Sequence, residues 1–120
     1  MPADPTYQSF EQAELMERVE GDVELLLDLA ETFQSLHAEQ LADLRASLEA
    51  RDFGALGRTA HALKGSLSTL AARATARAAS LEQIAKSADV EACARELAAL
   101  TTELPILARE LTELVARLSA

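Results

Sequence analysis

A ladder of leucines near the end of the chain constrains the fold most. These leucines alternate at three and four residues: Leu97, Leu100, Leu104, Leu107, Leu111, Leu114 and Leu118. That spacing puts apolar side chains along one face of a helix, as in bundles whose helices cross at about 20°. Pro105 lies beside the ladder, which resumes in phase after it. We therefore expect one helix that bends near Pro105, with a break into two helices as the alternative.

The composition favours helices throughout the chain. It contains 25 alanines and 21 leucines, but only six valines and isoleucines together. Alanine and leucine are strong helix formers, whereas β-branched residues suit strands. We predict an all-α fold, an antiparallel up-down-up-down four-helix bundle with a short extra N-terminal helix. Residues 1–8 are expected to be a flexible lead-in, and residues 9–120 one domain.

Capping residues predict where the helices begin and end. Ser9 and Gln12 form a capping-box pattern for a first helix that runs through Glu20 to Gly21. Asp22, Asp52 and Asp89 are expected to cap later helices, the second reaching about residue 50 and the third covering about 53–71. A shorter helix should lie between a turn near 71–73 and about residue 87. The expected core of these helices comprises Leu26, Leu29, Phe33, Leu41, Leu44, Leu48, Leu56, Ala60, Leu63, Leu67, Leu70, Ala74, Ala78 and Leu81, with Ile84 or Ala85.

The net charge of −9 limits the possible partners. Nucleic acids and anionic membranes are bound by basic surfaces, so we expect neither as a partner. No signal peptide and no membrane-spanning run is visible, and the lone Cys93 is expected to be a buried apolar residue. We expect a cytoplasmic monomer, although the leucine ladder leaves open a coiled-coil dimer.

The chemically distinctive stretch is Thr59-Ala60-His61-Ala62-Leu63-Lys64-Gly65-Ser66. Residues three and four apart share a helix face, so His61, Lys64 and Gly65 point the same way. Glycine inside a helix costs roughly 1 kcal/mol relative to alanine, which implies that Gly65 provides space. We interpret His61 as a solvent-facing nucleophile on a rigid helix.

The surroundings of His61 support this interpretation. The same face carries Gly57 and Ser68, and residues 53–81 contain four basic residues, Arg58 among them, but no acidic one. A local positive patch on an acidic protein suits an anion or an acidic partner surface. From the expected register of the second and third helices, His37, Gln40 and Leu41 should lie near His61. Gln40 could orient the imidazole through a hydrogen bond.

Other chemistries find little support in the sequence. The two histidines are not spaced as metal ligands, and there is no cysteine cluster. No glycine-rich phosphate loop is present, so we expect neither ATP-dependent kinase activity nor a cofactor in this chain. The alternatives to a reactive His61 are a docking adaptor of the same fold and a purely structural helical protein.

The motif resembles the signature of histidine-containing phosphotransfer (HPt) domains. The resemblance extends to Phe33, Leu41 and Leu44, to the break at Asp52 and to Leu81-Glu82. Where the family often has Gly-Asn-Leu-Gly-Ala, this chain has Ser68-Thr69-Leu70-Ala71-Ala72. Ala71 therefore stands where glycine often closes the helix with a positive φ.

The resemblance implies a phosphocarrier of two-component signalling. His61 would exchange a phosphoryl group with an aspartate on a response-regulator receiver domain, and Mg²⁺ would be held by that receiver. Lys64 matches the family lysine near the phosphoryl group, and Gly65 matches the glycine that leaves space for phosphohistidine. The implied partners are receiver domains and a hybrid sensor histidine kinase.

Overall fold

The computed structural model of the protein describes residues 6–120. The described chain contains five helices and no strand, and the four longest form the expected antiparallel bundle. The helices are α1 (Gln12–Arg18), α2 (Val23–Glu49), α3 (Phe53–Thr69), α4 (Thr75–Ala85) and α5 (Val90–Ser119). The predicted fold class, an all-α bundle with a short extra N-terminal helix, is confirmed.

Aspartates cap three of the helices as predicted. The Oδ1 atom of Asp22 accepts hydrogen bonds from the first turn of α2, Asp52 accepts one from Ala55 N, and Asp89 accepts one from Ala92 N. A cap of this kind typically stabilises a helix by about 1 kcal/mol, because it satisfies a backbone donor that has no partner inside the helix. These local signals fix where α2, α3 and α5 begin.

Left-handed residues end the helices. Gly21 has a φ of +71°, and Ala71 has a φ of +54°. The helix α3 therefore ends at Thr69 rather than at residue 71, and Ala71 adopts without glycine the conformation that closes it. An L-residue in this region costs roughly 1–2 kcal/mol. The surrounding contacts must compensate, and the backbone oxygen of Ala71 accepts a hydrogen bond from Glu11 N.

The bundle buries the leucine ladder in its own core. The helix α2 packs against α3 and α5, and α4 packs against the same two helices. Six of the seven ladder leucines are buried, and Leu118 is partly buried. The helix α5 continues through Pro105 as one element, as expected. The ladder thus packs inside a single chain and does not form an open seam.

The N-terminal cap prediction was wrong. The helix α1 begins at Gln12 and has Glu11 at its N-cap, without a side-chain hydrogen bond, and it ends at Arg18. The hydroxyl of Ser9 instead donates a 2.6 Å hydrogen bond to Oε1 of Glu110, which also accepts from Ser9 N. A buried carboxylate from a distant helix competes for the serine that the local pattern assigned to a capping box.

The lead-in is also more ordered than expected. Residues 1–5 lie outside the described residues, but Tyr7 is buried and its ring stacks on Phe10 at 4.9 Å between centroids. Gln8 N donates to Oε2 of Glu110, and Phe10 pairs with Ala72 in an isolated bridge. We call residues 7–10 the N-terminal clasp, because they hold α5 and the α3–α4 turn together. The packed domain therefore begins before residue 9.

Candidate functional site

The position of His61 follows from the buried stripe of α3. The stripe contains Leu56, Ala60, Leu63 and Leu67, all fully buried. His61 lies one residue beyond Ala60, which rotates its side chain out of the core to the edge that α3 shares with α4. Its side chain is 67% exposed. The rigid stripe thus holds an accessible imidazole at a fixed place.

A carboxylate from α4 joins the histidine to the lysine. The Oε2 atom of Glu82 lies 2.9 Å from His61 Nδ1, and its Oε1 atom accepts a 2.8 Å hydrogen bond from Lys64 Nζ. Leu81 and Ala85 on α4 are buried, which leaves Glu82 at the edge facing α3. One carboxylate therefore bridges two side chains that stand a helical turn apart.

Electrostatics keep Glu82 ionised. The hydrogen bond from Lys64 is the main cause that lowers the pKa of Glu82; partial burial opposes it, and His61 adds to the lowering. An ionised carboxylate only accepts hydrogen bonds, so the proton of this contact resides on His61 Nδ1. In the neutral imidazole the other nitrogen, Nε2, then carries the lone pair. Glu82 thereby fixes the tautomer that presents a nucleophilic Nε2.

Gly65 opens the surface beside the imidazole. A Cβ atom built at position 65 would meet no atom within 4 Å outside its own neighbours. The observed orientation of His61 therefore does not require a glycine at this position. The space that Gly65 provides is therefore free for a group or a partner that approaches from outside. Gly57 differs, because its Cβ would lie 3.7 Å from the Cβ of Ala85, an ordinary contact.

The other predicted site residues lie either on α3, like His61, or on α2. Gly57 and Arg58 line an open groove between α3 and α4 together with His61 and Glu82. Ser68 is exposed further along α3. The α2 residues lie elsewhere and make no hydrogen bond with His61 among the described residues. They are His37, which stacks on Phe33 at 5.1 Å and contacts its carbonyl oxygen through Nδ1, Leu41, which is buried in the core, and Gln40, which lines a separate groove.

The prediction that Gln40 orients the imidazole was therefore wrong. The register estimate correctly brought Gln40 near α3, but next to Ser66 and Thr69, on the side away from α4. The residue that contacts His61 Nδ1 is Glu82, which the sequence reasoning did not include in the site. A signal was present: residues 53–81 carry no acidic side chain, and Glu82 is the first one after that stretch.

The described chain contains neither a metal-binding cluster nor a membrane-spanning helix. Residues 6–120 contain no group of three or more His, Cys, Asp or Glu side chains that could hold a metal ion. Within the same range, no helix combines the length and apolar character needed to cross a membrane. The polar side chains at the site are the imidazole of His61, the carboxylate of Glu82, the ammonium group of Lys64 and the guanidinium group of Arg58.

The fold and the site together define a helical bundle that displays an exposed histidine in contact with a carboxylate. The family model described as the Hpt domain matches residues 28–120, and the chain belongs to that family. No curated protein and no solved structure matches it. Hpt domains are phosphocarriers rather than kinases, act in two-component signalling and interact with response regulators and kinases.

Proposed function

We propose that His61 is the phosphorylated residue of this protein and that it exchanges the phosphoryl group with an aspartate on a receiver domain. The observation that carries the proposal is the contact between Glu82 and His61 Nδ1, which leaves Nε2 as the nucleophile on an exposed ring. Membership of the Hpt family supports the same role. The chain would act as a carrier, without ATP-dependent kinase activity of its own.

The transfer proceeds by attack of the Nε2 lone pair on the phosphorus of the partner's aspartyl phosphate. A P–N bond forms, the P–O bond to the aspartate breaks, and the aspartate leaves as a carboxylate. Because Nδ1 keeps its proton, the phosphorylated ring gains a positive charge, and the nearby carboxylate of Glu82 stabilises it. That charge also makes the ring a good leaving group, so the reverse transfer is feasible.

Lys64 and the partner supply the remaining electrostatic stabilisation. Lys64 Nζ donates to the same Glu82 carboxylate that contacts His61. As a point charge, Lys64 can offset the negative charge on the oxygens of a phosphoryl group on Nε2. On the other side, Mg²⁺ held by the receiver would neutralise the same oxygens. This chain contributes position, a fixed tautomer and one cation.

We also propose that the protein is a cytoplasmic monomer. Burial of the leucine ladder inside a single bundle supports the monomer, because that face is not open for a coiled coil. The role of Hpt domains in two-component signalling supports the location. Sedimentation over a range of protein concentrations would reveal a dimer if the proposal of a monomer is wrong.

The decisive experiment offers phosphorylated receiver domains to the protein and to two histidine variants. His61→Gln should accept no phosphoryl group and should keep its helical circular dichroism. His37→Gln is the matched control, because it removes the chain's other histidine and should still accept acid-labile phosphate. Transfer to His61→Gln would overturn the proposal, and a wild-type protein that binds receivers without accepting phosphate would favour the docking adaptor.

A further inference from the structure

An open groove leads away from His61 between the first turns of α3 and the end of α4. Its lining residues are Phe53, Gly54, Gly57, Arg58, His61, Glu82, Ala85 and Lys86. Its volume is about 770 Å³, far more than a phosphoryl group occupies. Gly57 and Ala85 let the two helices approach closely at its floor. The groove is large enough for a segment of another protein.

Two cations in this groove lack a carboxylate partner. Within residues 6–120, Arg58 makes no hydrogen bond or ion pair, and Lys86 has only a 3.5 Å contact with the amide oxygen of Gln83. The other cations of the stretch from 53 to 81 differ, since Lys64, Arg73 and Arg77 each contact a carboxylate. Guanidinium and ammonium groups beside a reactive residue are thus available to an external anion.

The carboxylates at the groove are already engaged. Oδ1 of Asp52 accepts from Ala55 N, and Glu82 accepts from His61 and Lys64. Neither carboxylate forms an ion pair with Arg58 or Lys86 in the described chain. Because three cations (Arg58, Lys64 and Lys86) stand beside these two carboxylates, the groove keeps a local positive charge on a chain whose net charge is −9. A partner that is acidic only around its own reactive centre would match this pattern, whereas a polyanion such as nucleic acid would be repelled by the rest of the surface.

We propose that the groove between α3 and α4 docks the acidic surface surrounding the phosphoaccepting aspartate of the receiver, with Arg58 and Lys86 as its anchors. The inference rests on the proposed function, because the partner's carboxylate must reach His61 at the edge of this groove. Arg58 can bind a carboxylate through two parallel hydrogen bonds, and Lys86 acts as a point charge. Such pairs mainly accelerate encounter and set the orientation.

The test compares two double variants that remove the same charge. Arg58→Ala with Lys86→Ala empties the groove of its unpaired cations. Arg18→Ala with Arg109→Ala is the control; it removes two exposed cations that lie on α1 and late in α5. Each protein is labelled with phosphoramidate, which needs no docking, and the rate of transfer to the receiver domain is divided by that labelling rate.

The groove variant should show a rise in KM for the receiver of roughly fivefold to tenfold with little change in kcat, as expected for two exposed ion pairs. Its transfer rate should also depend less on salt than that of wild type. The control variant should behave like wild type. Equal loss in both variants, no loss in either, or an equal loss in phosphoramidate labelling would overturn the inference.

The outcomes also separate this inference from the proposed function. If wild type accepts no phosphoryl group on His61 from phosphoramidate or receivers, the proposed function fails and the docking role fails with it. If wild type transfers normally and the groove variant transfers equally well, only the docking role is wrong.

Discussion

Glu82 and Glu110 are two glutamates whose carboxylates are held by several donors, but the donors differ in kind. Glu82 lies at the partly exposed edge between α3 and α4, and its donors are the side chains of Lys64 and His61. Glu110 is buried on α5, and its donors are the backbone and hydroxyl groups of the N-terminal clasp. The pKa of both carboxyls is lowered.

Glu82 and Glu110 differ in what lowers the pKa of their carboxyl groups. At Glu82 the main cause is the hydrogen bond from a cation, and the second donor is a ring that can itself change charge. At Glu110 burial raises the pKa, and the hydrogen bonds from Ser9 and Gln8, with help from the charge of Arg109, outweigh it. Side-chain donors at an accessible edge fit the proposed role of Glu82 in phosphoryl transfer, whereas backbone donors fit a carboxylate that holds the chain in place.

The largest expected effect is a loss of phosphoryl-transfer rate when Glu82, but not Glu110, is replaced. Glu82→Gln keeps the shape of the side chain but removes its charge, so the phosphorylated ring of His61 loses its counter-ion. Because a charge-assisted hydrogen bond to the ring is lost with the counter-ion, we expect a roughly tenfold to hundredfold slower transfer. The measurement is the rate of phosphoryl transfer from a receiver domain, with thermal unfolding as a check that the fold is kept.

The control for that variant lies on the other side of α3. Gln40→Ala should transfer at close to the wild-type rate, because Gln40 makes no hydrogen bond with His61 among the described residues. A slow Gln40→Ala combined with a normal Glu82→Gln would reverse the assignment of the orienting residue.

The next effect concerns stability and belongs to Glu110. Glu110→Gln places an amide among three donors, so at least one buried contact becomes unfavourable. We expect the free energy of unfolding to fall by about 1–2 kcal/mol in denaturant titrations, with an unchanged transfer rate. Glu113→Gln, an exposed neighbour on the same helix, should change stability by less than about 0.5 kcal/mol. A loss of transfer in Glu110→Gln would remove the functional distinction between the two glutamates.

The pH dependence of this difference has a definite sign. Because the pKa of Glu110 is lower in the folded protein than its ordinary value of 4.5, its contribution to stability is present above that value. The contribution is lost as the pH falls through the folded pKa. The stability gap between wild type and Glu110→Gln should therefore be constant near neutral pH and close in acid, measured by denaturant titrations at several pH values. A gap that widens in acid would contradict the assigned direction.

The smallest expected effect on the fold comes from Gly65→Ala. Its Cβ meets nothing inside the chain, so the helix should gain up to about 1 kcal/mol of stability. Transfer should nevertheless slow, because the methyl group occupies part of the open space on the face that Gly65 shares with His61. Gly57→Ala is the matched control, because it adds the same methyl group to another glycine of α3, where the new Cβ would make an ordinary contact with Ala85. Unchanged transfer in Gly65→Ala would show that the space is not used.

Local rules predicted most of the fold. The caps at Asp22, Asp52 and Asp89 and the continuous α5 could be read from neighbouring residues alone. Ser9 could not, because its partner is 101 residues away on α5. A capping pattern states what a serine can do locally, and a buried carboxylate on another helix can still take its hydroxyl.

The site was predictable on α3 and not beyond it. His61, Lys64 and Gly65 share a face because helical spacing requires it. The partner of His61 depended on which neighbouring helix faces that edge, and the register of α2 and α3 does not determine the position of α4. The absence of acidic residues from 53 to 81 was the only trace of this arrangement, because it makes Glu82 the first carboxylate available to those cations.

Both ends of the described chain lie at the same end of the bundle. Arg117, near the end of α5, stands over the ring of Tyr7 at 5.7 Å from its centroid, and the N-terminal clasp meets the α3–α4 turn beside it. The groove with Arg58 and Lys86 adjoins the α2–α3 and α4–α5 connections at the opposite end of a molecule 50 Å long. A surface tether or a fluorescent label attached at Ala120 would therefore lie at the end of the bundle away from Arg58 and Lys86, which suits real-time binding measurements with immobilised protein.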